Sequence, residues 1–170
     1  APLIDLPVSK WDKLLNVNAR ATLLLAQAAY PALKESKGAL VAVASMSGMG
    51  AHPGMGAYSP SKAALISLCQ VLAQEWACDG INVNTVSPGM IRTPLTQKVY
   101  ENNQIAKERA ALVPWGRVGN PEDISNVISF LLSPEANYIT GQNILVDGGF
   151  VDSLYRHIPG LPDSSEIDKT

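Results

Sequence analysis

Apolar positions along the chain fall into two periods. From Trp11 through Leu14, Leu15, Val17, Leu23, Leu24, Leu25, Ala28, Ala29 and Leu33 they recur at helical spacing, and the second half of this stretch is apolar almost all round. Ser9 is placed to cap that helix, with Asp12 as a weak capping-box partner, and Lys37-Gly38 to close it. The continuous apolar run 39–44 then ends at Ser45, and its length predicts a strand, 39–45, buried on both faces as in a parallel sheet. A second helix is expected over 58–78, with Pro60 in its first turn and Gly80 at its exit. Residues 81–87 read as the next strand, terminated by Pro88-Gly89. Residues 95–112 form a more polar helical stretch. Asn120-Pro121-Glu122-Asp123 combines a cap residue, a first-turn proline and first-turn acids, and starts a helix ending near Ser133-Pro134. Residues 143–147 read as a last strand before Gly148-Gly149. Helix and strand in alternation predict an α/β fold with a parallel sheet over 1–150, followed by an extended tail, 151–170, with Pro159, Gly160, Pro162 and an acidic end.

Composition narrows the function classes. The chain has 170 residues, enough for one domain with a real core. Only 16% are charged against 46% hydrophobic, which suggests that part of the surface is covered by a partner. A net charge of −2 gives no electrostatic case for nucleic acid or an anionic membrane. No apolar stretch approaches the roughly 20 residues of a membrane span. No basic segment followed by an apolar one opens the chain, so the expected location is the cytoplasm. Cys69 and Cys78 lie about 13 Å apart along one expected helix, too far to pair. Both read as small core residues in a reducing compartment. His52 and His157 have no ligand cluster around them, and no metal site is expected.

The chemistry concentrates after the first strand. Ser45, Tyr58 thirteen residues on and Lys62 four after that are the raw parts of a proton-transfer site. Free tyrosine has a pKa near ~10 and is a poor base at neutral pH. A lysine one helical turn away puts positive charge beside the phenol and favours the phenolate. A serine hydroxyl in the same pocket can hold a substrate oxygen. Ser45 stands at the carboxyl end of a strand, where open α/β sheets bind ligands. The loop beyond it carries Gly48, Gly50, Gly54 and Gly56, which would let the backbone approach a ligand.

Six segments in order resemble the short-chain dehydrogenase/reductase family: Asn16-Val17-Asn18-Ala19-Arg20, Ser45-Met46-Ser47-Gly48, Tyr58-Ser59-Pro60-Ser61-Lys62, the run 82–94, the run 116–124, and Tyr138-Ile139-Thr140-Gly141-Gln142 leading into Val146-Asp147-Gly148-Gly149. The resemblance covers residues 1 to about 150. It implies a Rossmann-like, doubly wound parallel sheet, here the C-terminal portion of a three-layer αβα fold. It implies NAD or NADP as cofactor and hydride transfer between a secondary alcohol and a ketone. By position, Tyr58 resembles the family's acid/base, and Lys62 the lysine that assists it and binds the nicotinamide ribose. Ser45 matches the serine that steadies the carbonyl, with Ser47 as a competitor that the spacing to Tyr58 disfavours. Asn18 matches the asparagine that holds a water for the lysine, or is a polar residue at a bend in a long helix. Pro88, Gly89, Ile91 and Thr93 match the loop that meets the nicotinamide, and Gly89 also has a plain turn role. Met90 and Leu95 join Ser45 and Ser47 as candidate substrate contacts, while Met49, His52 and Met55 could line the opposite wall or simply pack the loop. The polar stretch after Leu95 mildly favours a polyol or sugar-derived ketone. A homotetramer is implied, through the helices at 10–36 and 58–78 and through the last strand.

The chain departs from the family in one large respect. It has no glycine-rich phosphate loop after a first strand, and it aligns from just after the family's fourth strand onward. The expectation is therefore a piece of a longer protein. The alternative is a truncated, non-catalytic subunit of the same fold that cannot bind dinucleotide by itself.

Overall fold

The computed structural model describes residues 1–160, so the end of the expected tail lies outside the described residues. Three strands, β1 (Ala39–Val43), β2 (Asn82–Pro88) and β3 (Asn143–Val146), form a parallel sheet in that order. Ala39 pairs with Asn82 and Val43 with Val86 on one side of β2, and Thr85 with Asn143 and Pro88 with Val146 on the other. Parallel strands need crossovers. Helix α3 (Tyr58–Trp76) joins β1 to β2, and the short α4 (Gln97–Tyr100), α5 (Asn103–Leu112) and α6 (Pro121–Leu131) lie between β2 and β3.

Alternation along the strands sends side chains to two separate cores. On one face Ala42, Ala44, Ile81 and Val83 pack with Ala26, Leu65, Cys69, Leu72, Ala73 and Trp76 from the helices. On the other, Val86 packs with Ile124 and Leu131 of α6, and Val41, Ile144 and Val146 border the cluster. The result is the expected three-layer α/β arrangement. Both connections advance in the same direction across the sheet but lie over opposite faces. They therefore have opposite hands, and one departs from the usual right-handed crossover.

The strand with a continuous buried run is β2, not β1. Residues 83–87 are all buried, whereas Val43 of β1 is 46% exposed. The apolar run 39–44 correctly marks a strand, but β1 is at the edge of the described sheet. Strand β2 is polar as well as buried, and its polar groups are satisfied by the connection into β3. Asn84 donates from Nδ2 to the Ile139 carbonyl at 2.7 Å and accepts the Gln142 amide on Oδ1 at 3.0 Å. The Thr85 and Ser87 hydroxyls both donate to Asn143 Oδ1, at 2.8 and 2.7 Å.

The long first helix is interrupted. Helix α1 (Val8–Leu15) and α2 (Ala21–Ser36) are joined without a break by a wider π turn over Asn16–Arg20. Ser9 does not cap it: Pro7, with φ preset near the required value, precedes the first turn, and its carbonyl accepts from Lys10 and Trp11. At the far end Lys37 itself takes the left-handed conformation (φ 49°). Asp79 then ties α2 to the turn after α3, accepting Tyr30 Oη at 2.5 Å and Lys34 Nζ at 2.7 Å. The start of α6 is as expected: Asn120 and Asp123 form a reciprocal capping box behind Pro121. Arg117 grips Asp123 through two bonds of 2.7 and 2.8 Å, and with the Asn120 amide it holds that carboxyl down at about 2.

Three smaller expectations change. Cys69 is buried, which pushes its thiol up to about 11, but Cys78 is exposed rather than in the core. The expected helix over 95–112 is two helices, split where Asn102 caps α5. The segment from 151 is not extended at once: the Val151 amide donates to Asp147, Ser153 is buried, and Leu154–His157 form a 3-10 turn. Among the described residues no helix is long and apolar enough to cross a membrane.

Candidate active site at the strand ends

Ser45 lies two residues beyond β1, and the Ala44 amide still donates to the Val86 carbonyl. The chain then tightens into a 3-10 turn, Met46–Gly48, that Ser45 caps: its Oγ accepts the Ser47 amide at 3.1 Å. That bond uses the oxygen as acceptor and leaves the Ser45 O–H free to donate. Gly48 permits the arrangement. A Cβ there would meet the Lys62 carbonyl carbon and Ile66 Cδ1, each at 2.9 Å. The glycine thus brings the loop against helix α3. Glycine 50, with nothing nearer than 4.0 Å, serves no such approach.

Tyr58 opens α3, and Lys62 follows one turn later on the same side. The Lys62 ammonium is 5.9 Å from the Tyr58 ring centroid, and it donates to the Val43 carbonyl at 2.9 Å. Carbonyls of even-numbered β1 residues face β2, so that of Val43 points to the open edge, where Lys62 is its partner. This bond fixes the lysine at the mouth of β1. Burial lowers the Lys62 pKa from its ordinary value.

Asn18 joins the group from the π turn. Its Nδ2 donates to Ser61 Oγ at 2.9 Å, and Ser61 Oγ donates to the Tyr58 carbonyl at 2.7 Å. Fully buried Ser61 was missed by sequence reasoning, although its place three residues after Tyr58 was a usable signal. The bend offered as the alternative for Asn18 is this widened turn, and such turns recur at functional sites. The Asn18 side chain therefore meets the backbone under Tyr58, through Ser61, rather than Lys62.

The second strand end supplies the facing loop. Pro88 closes β2, and the Gly89 amide donates to the Val146 carbonyl at 3.0 Å. A Cβ on Gly89 would stand 2.5 Å from Asp147 Cβ, so close approach to β3, rather than a turn, requires glycine here. Ile91 bridges to Gly119, and Thr96 Oγ1 fastens the loop by accepting the Thr93 amide at 2.9 Å and donating to the Ile91 carbonyl at 2.8 Å.

The substrate candidates do not converge. Ser47, Met49 and His52 line one open groove of about 400 Å³, in which Ser47 Oγ meets His52 Nδ1 at 3.2 Å. Met55 does not line it. Met90 lines a different cavity of about 190 Å³ with Trp115, Arg117 and Asp147, and Leu95 is 94% exposed.

Comparison with known proteins follows the same outline. The family model described as enoyl-(acyl carrier protein) reductase matches residues 1–151. "Dehydrogenase/reductase SDR family member 4" of Bos taurus is 38% identical over 153 residues, 89% of this chain and 55% of its own length. The NAD-dependent glycerol dehydrogenase of Listeria innocua is 40% identical over 147 residues, 86% of this chain and 58% of its own. Among solved structures, a 4-hydroxyisoleucine dehydrogenase mutant complexed with NADH and succinate superposes with a TM-score of 0.83 at 36% identity. That match covers 89% of this chain and 63% of the other. The chain spans little more than half the length of these curated relatives. The donors present fit the nicotinamide–ribose end of a dinucleotide. Lys62 has N–H groups beyond the one given to Val43, and the Ile91 amide carries no hydrogen bond among the described residues.

Proposed function

The chain belongs to the short-chain dehydrogenase/reductase family, and from that membership we propose that it carries the proton-handling half of an NAD(P)-dependent oxidoreductase interconverting secondary alcohols and ketones. The observation that carries this reading is the pair on the first turn of α3. Lys62 lies 5.9 Å from the Tyr58 ring and is held by the last carbonyl of β1, just before Ser45.

A bound nicotinamide dinucleotide, NAD or NADP, supplies and accepts the hydride. The chain's own residues handle the rest. Tyr58 Oη gives its proton to the carbonyl oxygen in reduction and takes it back in oxidation. Ser45 donates its free O–H to the same oxygen. The Lys62 ammonium stabilises the negative charge left on Tyr58 and hydrogen-bonds ribose hydroxyls. Asn18 acts as a positioning residue, steadying the first turn of α3 through Ser61 and holding water for Lys62. Pro88, Gly89, Ile91 and Thr93 hold the carboxamide end. Ser47, Met90 and Leu95 are the proposed substrate contacts.

The working unit is proposed as a homotetramer. Leu24, Leu25 and Val71 are 49, 72 and 51% exposed on α2 and α3, an apolar surface suited to a second copy, and β3 has an unpaired edge in the described sheet. A non-catalytic role for the fold has no observation in its favour.

The test is turnover of a panel of secondary alcohols, polyols and hydroxy acids with NAD and with NADP. It uses the protein at the full length of its relatives. Alcohol-dependent reduction of either cofactor is expected. No turnover with any alcohol, in protein that binds the cofactor, would refute the reading.

A further inference from the structure

Two arginines gather on one buried tyrosine beside the strand-end loop. Tyr100, the last residue of α4, is only 6% exposed. The guanidinium carbon of Arg92 lies 5.3 Å from its ring centroid and that of Arg109 lies 5.5 Å away, both within cation–π reach. Arg109 Nη1 also faces the Tyr100 hydroxyl at 3.4 Å. Neither arginine has a carboxylate within 4.0 Å among the described residues. Arg117, by contrast, is paired with Asp123, and Lys34 with Asp79. The acids adjacent in sequence do not compensate. The nearest, Glu108, accepts from Gln104 instead.

Two like charges fixed about one ring repel one another, and an aromatic face offsets only part of that cost. A planar guanidinium fork is suited to gripping an oxyanion through paired hydrogen bonds. Nearly all the N–H donors of both side chains are free to do so. The position also fits a ligand site. Arg92 directly follows Ile91, the Thr93–Thr96 turn pins the start of α4, and the loop leaves β2 at the same sheet end as Ser45.

We propose that Arg92 and Arg109, held on Tyr100, bind a carboxylate of the substrate. This rests on the oxidoreductase reading above and names its substrate class: a hydroxy or oxo acid rather than a neutral polyol.

The test reads binding, not turnover. The 170-residue chain is labelled with nitrogen-15 at arginine, and the side-chain Nε–H signals are followed on adding succinate at constant ionic strength. Butane-1,4-diol serves as the neutral match, and Arg20, Arg117 and Arg156 as internal controls. Saturating shifts confined to Arg92 and Arg109 are expected, with no response to the diol. Arg92→Gln, an exposed position, should weaken the response of Arg109 by about ten- to a hundred-fold, the effect of losing one charge-assisted partner. Arg109→Lys keeps the charge but loses the fork, and should weaken the response of Arg92 in the same way. Succinate carries neither a hydroxyl nor a ketone, so this response involves no proton transfer, and failure of the proton-transfer reading is told apart from failure here. Linear shifts common to all arginines, or an undiminished response in both folded arginine variants, would overturn the proposal. Tighter saturation by inorganic phosphate than by succinate would also overturn it, by reassigning the site to phosphate esters.

Discussion

Replacing Gly89 with alanine tests how the strand ends position the site. The new Cβ would stand 2.5 Å from Asp147 Cβ and 2.7 Å from Asp147 Cα. Ordinary carbon–carbon contact is about 3.5–4.0 Å, so the overlap is about 1 Å. The neighbour includes backbone, and Asp147 is clamped because its carboxylate accepts the Gly149 amide at 2.8 Å and the Val151 amide at 2.7 Å. Relief therefore means parting β2 from β3. Overpacking of this kind costs about 1–3 kcal/mol. Loss of the 3.0 Å bond from the Gly89 amide to Val146 adds about 1 kcal/mol. The expected loss is about 2–4 kcal/mol in urea unfolding followed by tryptophan fluorescence. Gly50→Ala is the control. Its Cβ meets nothing closer than 4.0 Å, and it should be neutral within about 0.5 kcal/mol. In protein at the full length of its relatives, Gly89→Ala should also weaken cofactor binding, since the same shift moves the loop to Thr93. Stability within about 0.5 kcal/mol of wild type, with unchanged cofactor affinity, would refute the reasoning.

Other expectations follow from individual contacts. Asn84→Leu strands the Ile139 carbonyl and the Gln142 amide in the interior and should cost about 2–5 kcal/mol. Amide exchange at Gln142 should accelerate, and unchanged protection there would contradict the pairing. Burial lowers the Lys62 pKa below the ordinary lysine value of 10.5, so between the folded and unfolded pKa values the unfolded chain binds more protons. The Lys62 contribution to stability should accordingly rise with pH through that window and level off above 10.5. The difference between wild type and Lys62→Met, measured by denaturation at successive pH values, should show this rise. A flat or falling difference would count against a buried lysine.

Elements with a local cause were legible in the sequence. Asn120, Pro121 and Asp123 start α6 through contacts within four residues, and Tyr58 and Lys62 share a helical turn that spacing alone specifies. What was not legible depends on distant partners. Nothing local distinguishes the apolar run of β1, at the edge of the described sheet, from the polar but buried β2. Asn84, Thr85 and Ser87 are buried because residues 139–143 satisfy them, more than fifty positions away. The same holds for Gly48 and Gly89, whose requirement is set by Lys62 and Asp147 and not by their own turns. The gathering of Arg92 and Arg109 on Tyr100 likewise needs the fold of the whole 92–109 segment. Ser9 illustrates the opposite error, a good local signal overruled by the proline two residues before it.

The central claim is that Tyr58 moves the substrate proton. Its most direct test is the single-turnover rate of carbonyl reduction, in protein at the full length of its relatives with cofactor prebound, for wild type and for Tyr58→Phe. A positioned acid is worth on the order of 10²- to 10⁴-fold, so the phenylalanine variant should lose a rate factor in that range while binding the cofactor with unchanged affinity. A Tyr58→Phe rate within a few-fold of wild type would contradict the account.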